Sequence, residues 1–515
     1  MIFRSPHGNV AIPDSPLTDF VFARARSLGA KPALIDGPSG RAISFAEIEE
    51  AIQRVAKGLS SRGFEKGDVF AIYAPNVPEY AVAFHGVARL GGVTTTVNPL
   101  YTPEELRRQL DDAGATRLLT VPPFLDKASE ACRGSRVEEI FVFGGSDSAT
   151  PFSALLENDG DPPEVDIDTA EDLVALPYSS GTTGLQKGVM LTHRNLVANL
   201  VQTSAAFEGG LTERDVCIGI LPFFHIYGML VIMNLALWKG ASIVTMPRFD
   251  LQGFLELMQR YRVTAAHLVP PIVLGLSKHP MVDQYDLTSL RWIMSGAAPL
   301  GENVAGACAR RLGCFVLQGY GLTETSPVSH CNPIDEDRIK PGSVGPPVPG
   351  TECRIVSPES GLDVGPGENG EIWIRGPQVM KGYLNNVQAT RAAIDDEGWF
   401  RSGDVGHADE DGYFFIVDRL KELIKYKGFQ VAPAELEAIL LSHPAVADAA
   451  VVPKPDEEAG EIPKAFVVLR EEIPKQAILD FVAERVAPYK KIREIEVIDA
   501  IPKSPSGKIL RRLLR

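Results

Sequence analysis

Cysteine is scarce in this chain, and the patterns that give cysteine a structural role are missing. The 515 residues include six cysteines and no CxxC pair. Their positions are Cys132, Cys217, Cys308, Cys314, Cys331 and Cys353. This spacing argues against a structural zinc site and against a thioredoxin-like motif. A signal-peptide pattern and a terminal Ser-Lys-Leu are lacking too, so we expect a cytoplasmic protein with reduced thiols.

Positive charge is in deficit. The chain has 51 Lys and Arg against 66 Asp and Glu, which gives a formal net charge of −15. Binding to nucleic acid would need a local basic patch that works against this field, and we expect no nucleic-acid partner. Hydrophobic residues make up 45% and charged residues 23%, as in globular proteins, which excludes a disordered or collagen-like chain.

Long runs without charge are also rare. Val216 to Trp238 carries no Lys, Arg, Asp or Glu and is long enough to span a bilayer. Pro222, Gly228 and Asn234 interrupt the run, so we predict a short buried strand, a loop and a helix instead of a membrane span.

The order of predicted elements indicates an α/β protein. Up to about residue 340, short apolar strands alternate with amphipathic helices, which is typical of βαβ units and parallel sheets. Short strands rich in Gly and Pro follow, which predicts a small β-barrel-like part. About a hundred further residues suffice for a small, mobile α+β domain. We predict an N-terminal domain over 1–418, a hinge at 419–421 and a C-terminal domain over 422–515.

The most informative segment runs from Tyr178 to Gly188 and reads YSSGTTGLQKG. Its glycines let the backbone turn N–H groups toward an anion, its hydroxyls add donors, and Lys187 adds a charge. A Walker A loop is excluded because Lys187 stands three residues after Gly184 and precedes Gly188. The segment predicts a phosphate-binding loop.

This segment resembles the nucleotide-binding motif of the adenylate-forming superfamily, which contains acyl-CoA synthetases, peptide-synthetase adenylation domains and luciferases. Gln186 stands where that motif usually has proline. Further motifs resemble the same family in the same order: LPFFHIYG from Leu221, SGAAPL from Ser295, QGYGLTET from Gln318, WFRSGD from Trp399, and DRLKELIKYKGFQVAPAE from Asp418. The sequences of these motifs are most similar to those of 4-coumarate:CoA ligases and bacterial cinnamate-activating enzymes.

The resemblance implies an ATP site with Mg²⁺. The residues expected at the phosphates are Ser179, Ser180, Gly181, Thr182, Thr183, Gly184 and Lys187. The residues expected at the adenosine are Gly296, Ala297, Gln318, Gly319, Tyr320, Gly321, Asp404 and Arg419. Thr323 is expected at the α-phosphate and Glu324 at Mg²⁺, for which a carboxylate is a suitable ligand. Lys508, in a loop that ends in Ser-Gly-Lys, is expected to be the lysine of adenylation.

A second step with coenzyme A is also implied, in which the C-terminal domain rotates about Lys421. The residues expected to contact coenzyme A or to form the face used in thioester formation are Lys425, Lys427, Gly428, Gln430 and Arg248. Gly428 suits a narrow channel because it has no side chain. His225 is expected to gate the acyl pocket beside Tyr227.

The acyl pocket implied by the resemblance is mostly apolar. Its expected lining is Ile226, Tyr227, Leu230, Met294, Gly296, Gly319, Pro327 and Val328. Met294 and Leu230 replace a lysine and an asparagine that are common in plant coumarate ligases. Because these changes remove polar partners, we hypothesise a preference for cinnamate-like or medium-chain acids over 4-hydroxylated ones.

Other functions stay open at this point. Within enzymes they are a fatty acyl-CoA synthetase, a ligase that loads a carrier protein, and a luciferase-like oxygenase. A non-catalytic nucleotide-binding module is a further alternative, although the presence of Lys187, Glu324, Asp404, Arg419 and Lys508 argues against lost chemistry. We expect a monomer or homodimer that uses a small carboxylic acid, ATP and coenzyme A.

Overall fold

A computed structural model describes residues 1–158, 160–179, 186–427, 429–505 and 507–514. Two largely parallel sheets with helices, an antiparallel half-barrel and a small C-terminal α+β unit account for its architecture. The predicted α/β class is therefore confirmed. In the described residues, no helix is both long enough and apolar enough to cross a membrane.

The first large sheet is parallel in its middle, with antiparallel pairing toward the edge near the phosphate-binding loop. Its described strands follow in the order Tyr178–Ser179, Lys187–Thr192, Leu173–Ala175, Val93–Thr96, Val69–Tyr73, Ala115–Thr120, Glu139–Val142 and Thr150–Pro151. The strand Gly382–Tyr383 pairs with Lys187–Thr192 from outside this series, which brings a distant part of the chain beside Lys187.

The second large sheet is parallel except at its two ends. Its described strands follow in the order Val328–Cys331, Phe315–Gly321, Trp292–Ser295, Ala265–Leu268, Val216–Gly219, Ser242–Thr245, Pro32–Asp36 and Ala42–Ser44. Buried strands such as Trp292–Ser295 read as continuous apolar runs because both faces are covered.

Helices cover these sheets, and local sequence explains where several begin. Ser44 and Thr102 each cap a helix reciprocally with a glutamate three residues later. The helices of the larger unit are Leu17–Phe22, Ala25–Leu28, Phe45–Ser60, Glu79–Arg89, Pro103–Ala113, Leu125–Cys132, Ser153–Leu156, His193–Ala206, Leu235–Lys239, Leu251–Arg260, Pro270–Lys278, Glu302–Leu312 and Val387–Ala393.

The uncharged run forms the predicted strand, loop and helix. The strand is Val216–Gly219, and a π-helical turn over Tyr227–Asn234 leads into Leu235–Lys239, which ends at Gly240 in the left-handed conformation. Its residues are buried in the main core. Burial inside the protein, and not contact with lipid, therefore explains the absence of charge.

The half-barrel is antiparallel and carries part of the site. Its strands are Phe3–Arg4, Glu352–Val356, Gly370–Arg375, Phe400–Ala408 and Phe414–Arg419. The last two pair Asp404 with Arg419. This register places two residues that are fifteen positions apart in the chain next to each other.

The C-terminal unit has an apolar core of its own, centred on residues such as Ile424, Leu436 and Val467. Its strands are Phe429–Val431, Ile424–Tyr426, Gly460–Leu469, Val446–Asp456 and Glu494–Val497, and its helices are Pro433–Ser442 and Lys475–Ala483. A separate core is expected of a unit that can turn as a body.

Candidate active site

The site lies where two neighbouring parallel strands of the second sheet end. The strand Trp292–Ser295 is followed by Gly296 and Ala297, and Ala297 adopts a positive φ of 71°. The next strand carries Gln318, whose Oε1 accepts a hydrogen bond from the Leu300 N–H at 3.0 Å. Gln318 therefore ties the two loops together. Ligands of open α/β sheets bind at such carboxyl ends.

Glycine is required at position 321 by close packing. A Cβ atom there would stand 2.0 Å from the carbonyl oxygen of Pro327. Gly296 is also restricted, because a Cβ would lie 2.9 Å from the Tyr227 ring. These glycines let the chain turn back on itself and bring the predicted adenine and acyl residues together.

Tyr320, Asp404 and Arg419 form one polar group beside these loops. The Tyr320 hydroxyl donates to Asp404 Oδ2 at 2.6 Å, and Arg419 Nε lies 3.4 Å from Asp404 Oδ1. Asp404 is only 6% exposed. Burial raises the pKa of Asp404, and the charge of Arg419 opposes that rise. The arrangement holds the Asp404 carboxylate, a hydrogen-bond acceptor, beside the Tyr320 ring.

Glu324 is held by two hydroxyl groups. Its Oε1 accepts hydrogen bonds from Ser179 Oγ at 2.8 Å and from Tyr383 Oη at 2.9 Å. The ammonium of Lys187 lies 4.7 Å from the centre of the Tyr383 ring. Thr323 is partly buried beside Glu324. The structure thus brings both ends of the predicted phosphate-binding loop next to the predicted metal ligand.

The centre of the phosphate-binding loop falls outside the described residues. So does Gly428, which belongs to the face expected to act in thioester formation. The predictions that cannot be placed are those for Ser180, Gly181, Thr182, Thr183, Gly184 and Gly428. At the described end of the loop, the Tyr101 hydroxyl donates to Gln186 Oε1. The side chain that stands in place of proline therefore anchors this end.

A single carboxylate is a reasonable partner for a magnesium ion that enters with a nucleotide. In the described part of the chain, no three His, Cys, Asp or Glu side chains cluster as a metal site. Magnesium usually retains waters and substrate phosphates and needs few protein ligands. Oε1 of Glu324 already accepts two hydrogen bonds from hydroxyl groups. Magnesium coordination by Glu324 together with waters and substrate phosphates therefore fits these residues better than coordination by protein groups alone.

Lys508 reaches this site from the C-terminal unit. Burial lowers the pKa of Lys508, the charge of Arg419 lowers it further, and Asp404 and Glu324 raise it. Burial also lowers the pKa of His225 to about 3, with a smaller contribution from the charge of Lys508. The preceding Gly507 packs against Val269, 3.1 Å from where its Cβ would stand. The loop that carries Lys508 therefore packs on the larger unit, with the ammonium close enough to Arg419, Asp404 and Glu324 for their charges to act on it.

The residues predicted for the second step lie away from this point. Lys421, Lys425, Lys427, Gln430 and Arg248 are all exposed. Lys427 pairs with Glu458 on its own unit. The structure consequently groups the predicted adenylation residues and does not bring the predicted coenzyme A residues to them.

The predicted acyl residues line one region beside Gly296. Ile226, Leu230 and Met294 are 1%, 1% and 6% exposed. The Tyr227 hydroxyl donates to the Met294 carbonyl at 3.0 Å, and the Met294 sulfur lies 3.5 Å from where a Cβ of Gly319 would stand. Pro327 is buried, and Val328, the next residue, is partly buried. The cluster is apolar, as predicted.

Two contributors were missed at the level of sequence. Tyr383 reaches Glu324 through long-range contacts that no local pattern signals: the strand Gly382–Tyr383 joins the first sheet, and the Met380 N–H donates to the Glu324 carbonyl. His267 pairs in register with Met294, and its Nδ1 lies 3.5 Å from the Tyr227 hydroxyl. Burial lowers the pKa of His267 to about 3. His267 is the single polar residue of the strand Ala265–Leu268, and this sequence signal could have identified it.

The Tyr227 hydroxyl donates to the Met294 carbonyl and lies 3.5 Å from His267 Nδ1. His267 Nε2 is closed to solvent and has no hydrogen-bond partner among the described residues. We assign His267 to the wall that orients Tyr227.

These features together define a two-part enzyme that binds a nucleotide between a large and a small unit. Family models agree: residues 21–384 match the AMP-binding enzyme and residues 435–508 match the AMP-binding enzyme C-terminal domain. The chain belongs to the AMP-binding enzyme family.

Similar proteins extend over the full chain. It is 48% identical over 524 residues to 4-coumarate--CoA ligase 5 of Oryza sativa subsp. japonica, covering 100% of this chain and 97% of the relative. It is 45% identical over 525 residues to 4-coumarate--CoA ligase 2 of Nicotiana tabacum, covering 100% and 97%.

Solved structures share the whole fold. The anthranilate CoA ligase AuaEII with anthranoyl-AMP has a TM-score of 0.90 and 29% identity, covering 98% of this chain and 97% of that one. ATP-bound MatB from Rhodopseudomonas palustris has a TM-score of 0.88 and 31% identity, covering 98% of both chains.

Proposed function

We propose that this chain is an AMP-forming acid:CoA ligase of the 4-coumarate--CoA ligase type. It activates an aryl-propenoic acid as acyl-AMP, releases diphosphate and then forms the acyl-CoA thioester. Full-length similarity to ligases of that name supports the proposal. The observation that carries it is the packing of the Lys508 loop on the larger unit, where Gly507 lies against Val269 and the charges of Asp404 and Glu324 act on the Lys508 ammonium.

The first half-reaction needs charge neutralisation more than a covalent catalyst. An oxygen of the acid's carboxylate attacks the α-phosphorus of ATP, and the bond from that phosphorus to the β-phosphate bridging oxygen breaks. Lys508, Thr323 and the phosphate-binding loop hold the two anions in place and stabilise the added charge. A magnesium ion held by Glu324 would neutralise charge on the phosphates.

Tyr320, Asp404 and Arg419 would bind the nucleoside. The Tyr320 ring offers a stacking surface for adenine, and its hydroxyl holds Asp404 for the ribose hydroxyls. Gly296 and Ala297 leave the backbone open to the base, while Gln318 keeps their loop in place. The same contacts orient the α-phosphate toward Thr323.

The second half-reaction, in which the thiol of coenzyme A attacks the carbonyl carbon of acyl-AMP and AMP leaves, requires a different set of residues at that carbonyl. Lys425, Lys427 and Gln430 are exposed on the C-terminal unit, so that unit must rotate to bring them in. We place the hinge at 419–421, between units 1–418 and 422–515. Lys508 would leave the site as the face used in thioester formation enters it, which opens a path for the thiol.

The acid we propose is cinnamate-like, without a 4-hydroxyl group. Leu230 and Met294 supply apolar surface where a hydroxyl would need a partner. His267 does not offset this, because its Nε2 is closed to solvent. His225 and Tyr227 stand at the boundary of this region with the nucleotide residues.

A panel of acids tests the proposal. Purified protein with ATP, magnesium and coenzyme A is given cinnamate, 4-coumarate, medium-chain fatty acids and benzoate, with diphosphate release and thioester product measured separately. We expect both products with cinnamate and a smaller kcat/KM with 4-coumarate. Absence of AMP and diphosphate with every acid would refute the function, and a strong preference for 4-coumarate would refute the specificity.

A further inference from the structure

A cleft lies between the helix Pro270–Lys278 and the C-terminal unit. It is open to solvent and has a volume of about 450 Å³, within the range of small-molecule sites. Its walls come from both units: Pro271, Leu274 and Lys278 from the larger, and Asp448, Arg470 and Lys503 from the smaller. The cleft is therefore assembled only when the two units sit in the arrangement seen here.

Positive charge is in excess in this cleft. Three cationic side chains, of Lys278, Arg470 and Lys503, face one carboxylate, that of Asp448. Lys503 pairs with Asp448 at 2.5 Å. In the described part of the chain, neither Lys278 nor Arg470 has an ion-pair partner. With the one pair neutralised, the cleft carries two uncompensated positive charges in a protein of net charge −15.

The two uncompensated charges come from opposite sides of the boundary. Lys278 ends a helix of the larger unit, and its ammonium donates to the Leu441 carbonyl of the smaller unit at 3.0 Å. Burial lowers the pKa of Lys278, and the charge of Arg470 lowers it further. The contact between the units therefore includes a repulsion that an anion would relieve.

We propose that this cleft binds an anion of the phosphate class between Lys278 and Arg470. A guanidinium and an ammonium can share the oxygens of one phosphate group, and the partly buried Pro271 and Leu274 form the apolar wall beside them. The phosphate could be a free ion, either inorganic phosphate or diphosphate, or the 3′-phosphate of coenzyme A. The recognition chemistry is the same for each source.

Binding there would favour the arrangement in which Lys508 is in the site. Lys503 lies five residues before Lys508 in the chain, and Gly507 packs on Val269, next to the helix that lines the cleft. An anion that binds this arrangement and not the rotated one shifts the equilibrium by its differential affinity. At ten times its dissociation constant, the anion would favour the first arrangement about elevenfold.

Hydrogen exchange of the full-length chain tests the site directly, with inorganic phosphate as the probe at ionic strength held constant with chloride. We expect phosphate to slow exchange in residues 270–280 and 441–448. The double variant Lys278→Gln/Arg470→Gln should require at least tenfold more phosphate for the same protection. Circular dichroism and thermal unfolding confirm that the variant is folded.

A matched control separates the cleft from overall charge. Lys127→Gln/Lys475→Gln removes two exposed positive charges, one from each unit, and should leave the phosphate concentration for half-protection unchanged. Equal protection in all three proteins would overturn the proposal, as would absence of protection in the wild type. Phosphate bound at the loop near Lys187 would protect residues 178–188 and is thus distinguishable.

Further ligands identify the source of the phosphate. Protection by coenzyme A but not by dephospho-coenzyme A supports the 3′-phosphate, whereas protection by diphosphate and phosphate alone supports a free anion. Transfer of a preformed acyl-AMP to the thiol should slow with the anion in the wild type and not in the double variant. That kinetic readout rests on the proposed function. The exchange readout does not, so failure of acid activation would leave the cleft testable.

Discussion

Glu437 is a buried carboxylate that should make the stability of the C-terminal unit depend on pH. It is 8% exposed, and its Oε1 accepts from the Val451 N–H at 2.8 Å. Arg511 Nη2 donates to Oε1 and Oε2 at 2.8 and 2.9 Å and also places the segment that follows Lys508. Burial raises the pKa of Glu437 to about 7, Arg511 opposes the rise, and Asp418 adds to it.

The sign of the effect follows from proton binding. Between the ordinary pKa of 4.5 and the folded value of about 7, the folded chain holds the Glu437 proton more tightly than the unfolded chain does. The free energy of unfolding is therefore largest below pH 4.5 with respect to this group, and it falls as the pH rises toward 7. At roughly 1.4 kcal/mol per pH unit, the loss is about 3 kcal/mol.

Glu437→Gln removes the titration and retains an acceptor oxygen for Val451 and Arg511. We expect the variant to match the wild type near pH 5 and to be more stable at pH 8, by up to about 3 kcal/mol. The exposed Glu471→Gln serves as the control and should follow the wild type.

Hydrogen exchange in the strand Val446–Asp456, corrected for intrinsic rates, reports on this unit. Tryptophan fluorescence does not, since Trp238, Trp292, Trp373 and Trp399 all precede it. An identical dependence on pH in the wild type and in Glu437→Gln would refute the assignment of a raised pKa to burial of this group.

Three further predictions concern the site. Lys508→Gln should lower ATP–diphosphate exchange by roughly 10²-fold or more but leave thioester formation from supplied acyl-AMP within about threefold, since Lys508 would leave before that step. Tyr320→Phe should raise the KM for ATP by roughly ten- to a hundredfold, because the hydrogen bond to buried Asp404 is worth roughly 1.5–3 kcal/mol; equal KM values would contradict this. Gly321→Ala should cost about 1–3 kcal/mol of stability by overpacking, measured by urea unfolding, whereas Gly365→Ala, with open space around it, should not.

Periodicity and turn chemistry were sufficient to predict most elements of the fold. The helix Phe45–Ser60 illustrates this, because a capping box at Ser44 marks its start and apolar spacing marks its buried face. The strand Trp292–Ser295 is a short apolar run, as expected of a buried strand. Alternation of strands and helices identified parallel sheets because crossover connections require it.

Sheet partners could not be predicted in the same way. The pairing of Val189 with Tyr383 joins residues almost two hundred positions apart, and together with the hydrogen bond from the Met380 N–H to the Glu324 carbonyl it brings the Tyr383 hydroxyl to Glu324. Likewise the hydrogen bond between Tyr320 and Asp404 depends on how the half-barrel meets the second sheet. Such contacts depend on packing between units, for which local sequence carries no signal.

Motifs identified the candidate site residues, and the structure shows how the described ones lie relative to one another. Lys508 and Lys425 both belong to the C-terminal unit, but Lys508 is partly buried in a loop that packs on the larger unit, whereas Lys425 is exposed. Two lysines placed so differently cannot serve the same carbonyl in one arrangement. The proposed function therefore requires the C-terminal unit to rotate, and under that proposal an anion bound at Lys278 and Arg470 would act on the balance between the two half-reactions.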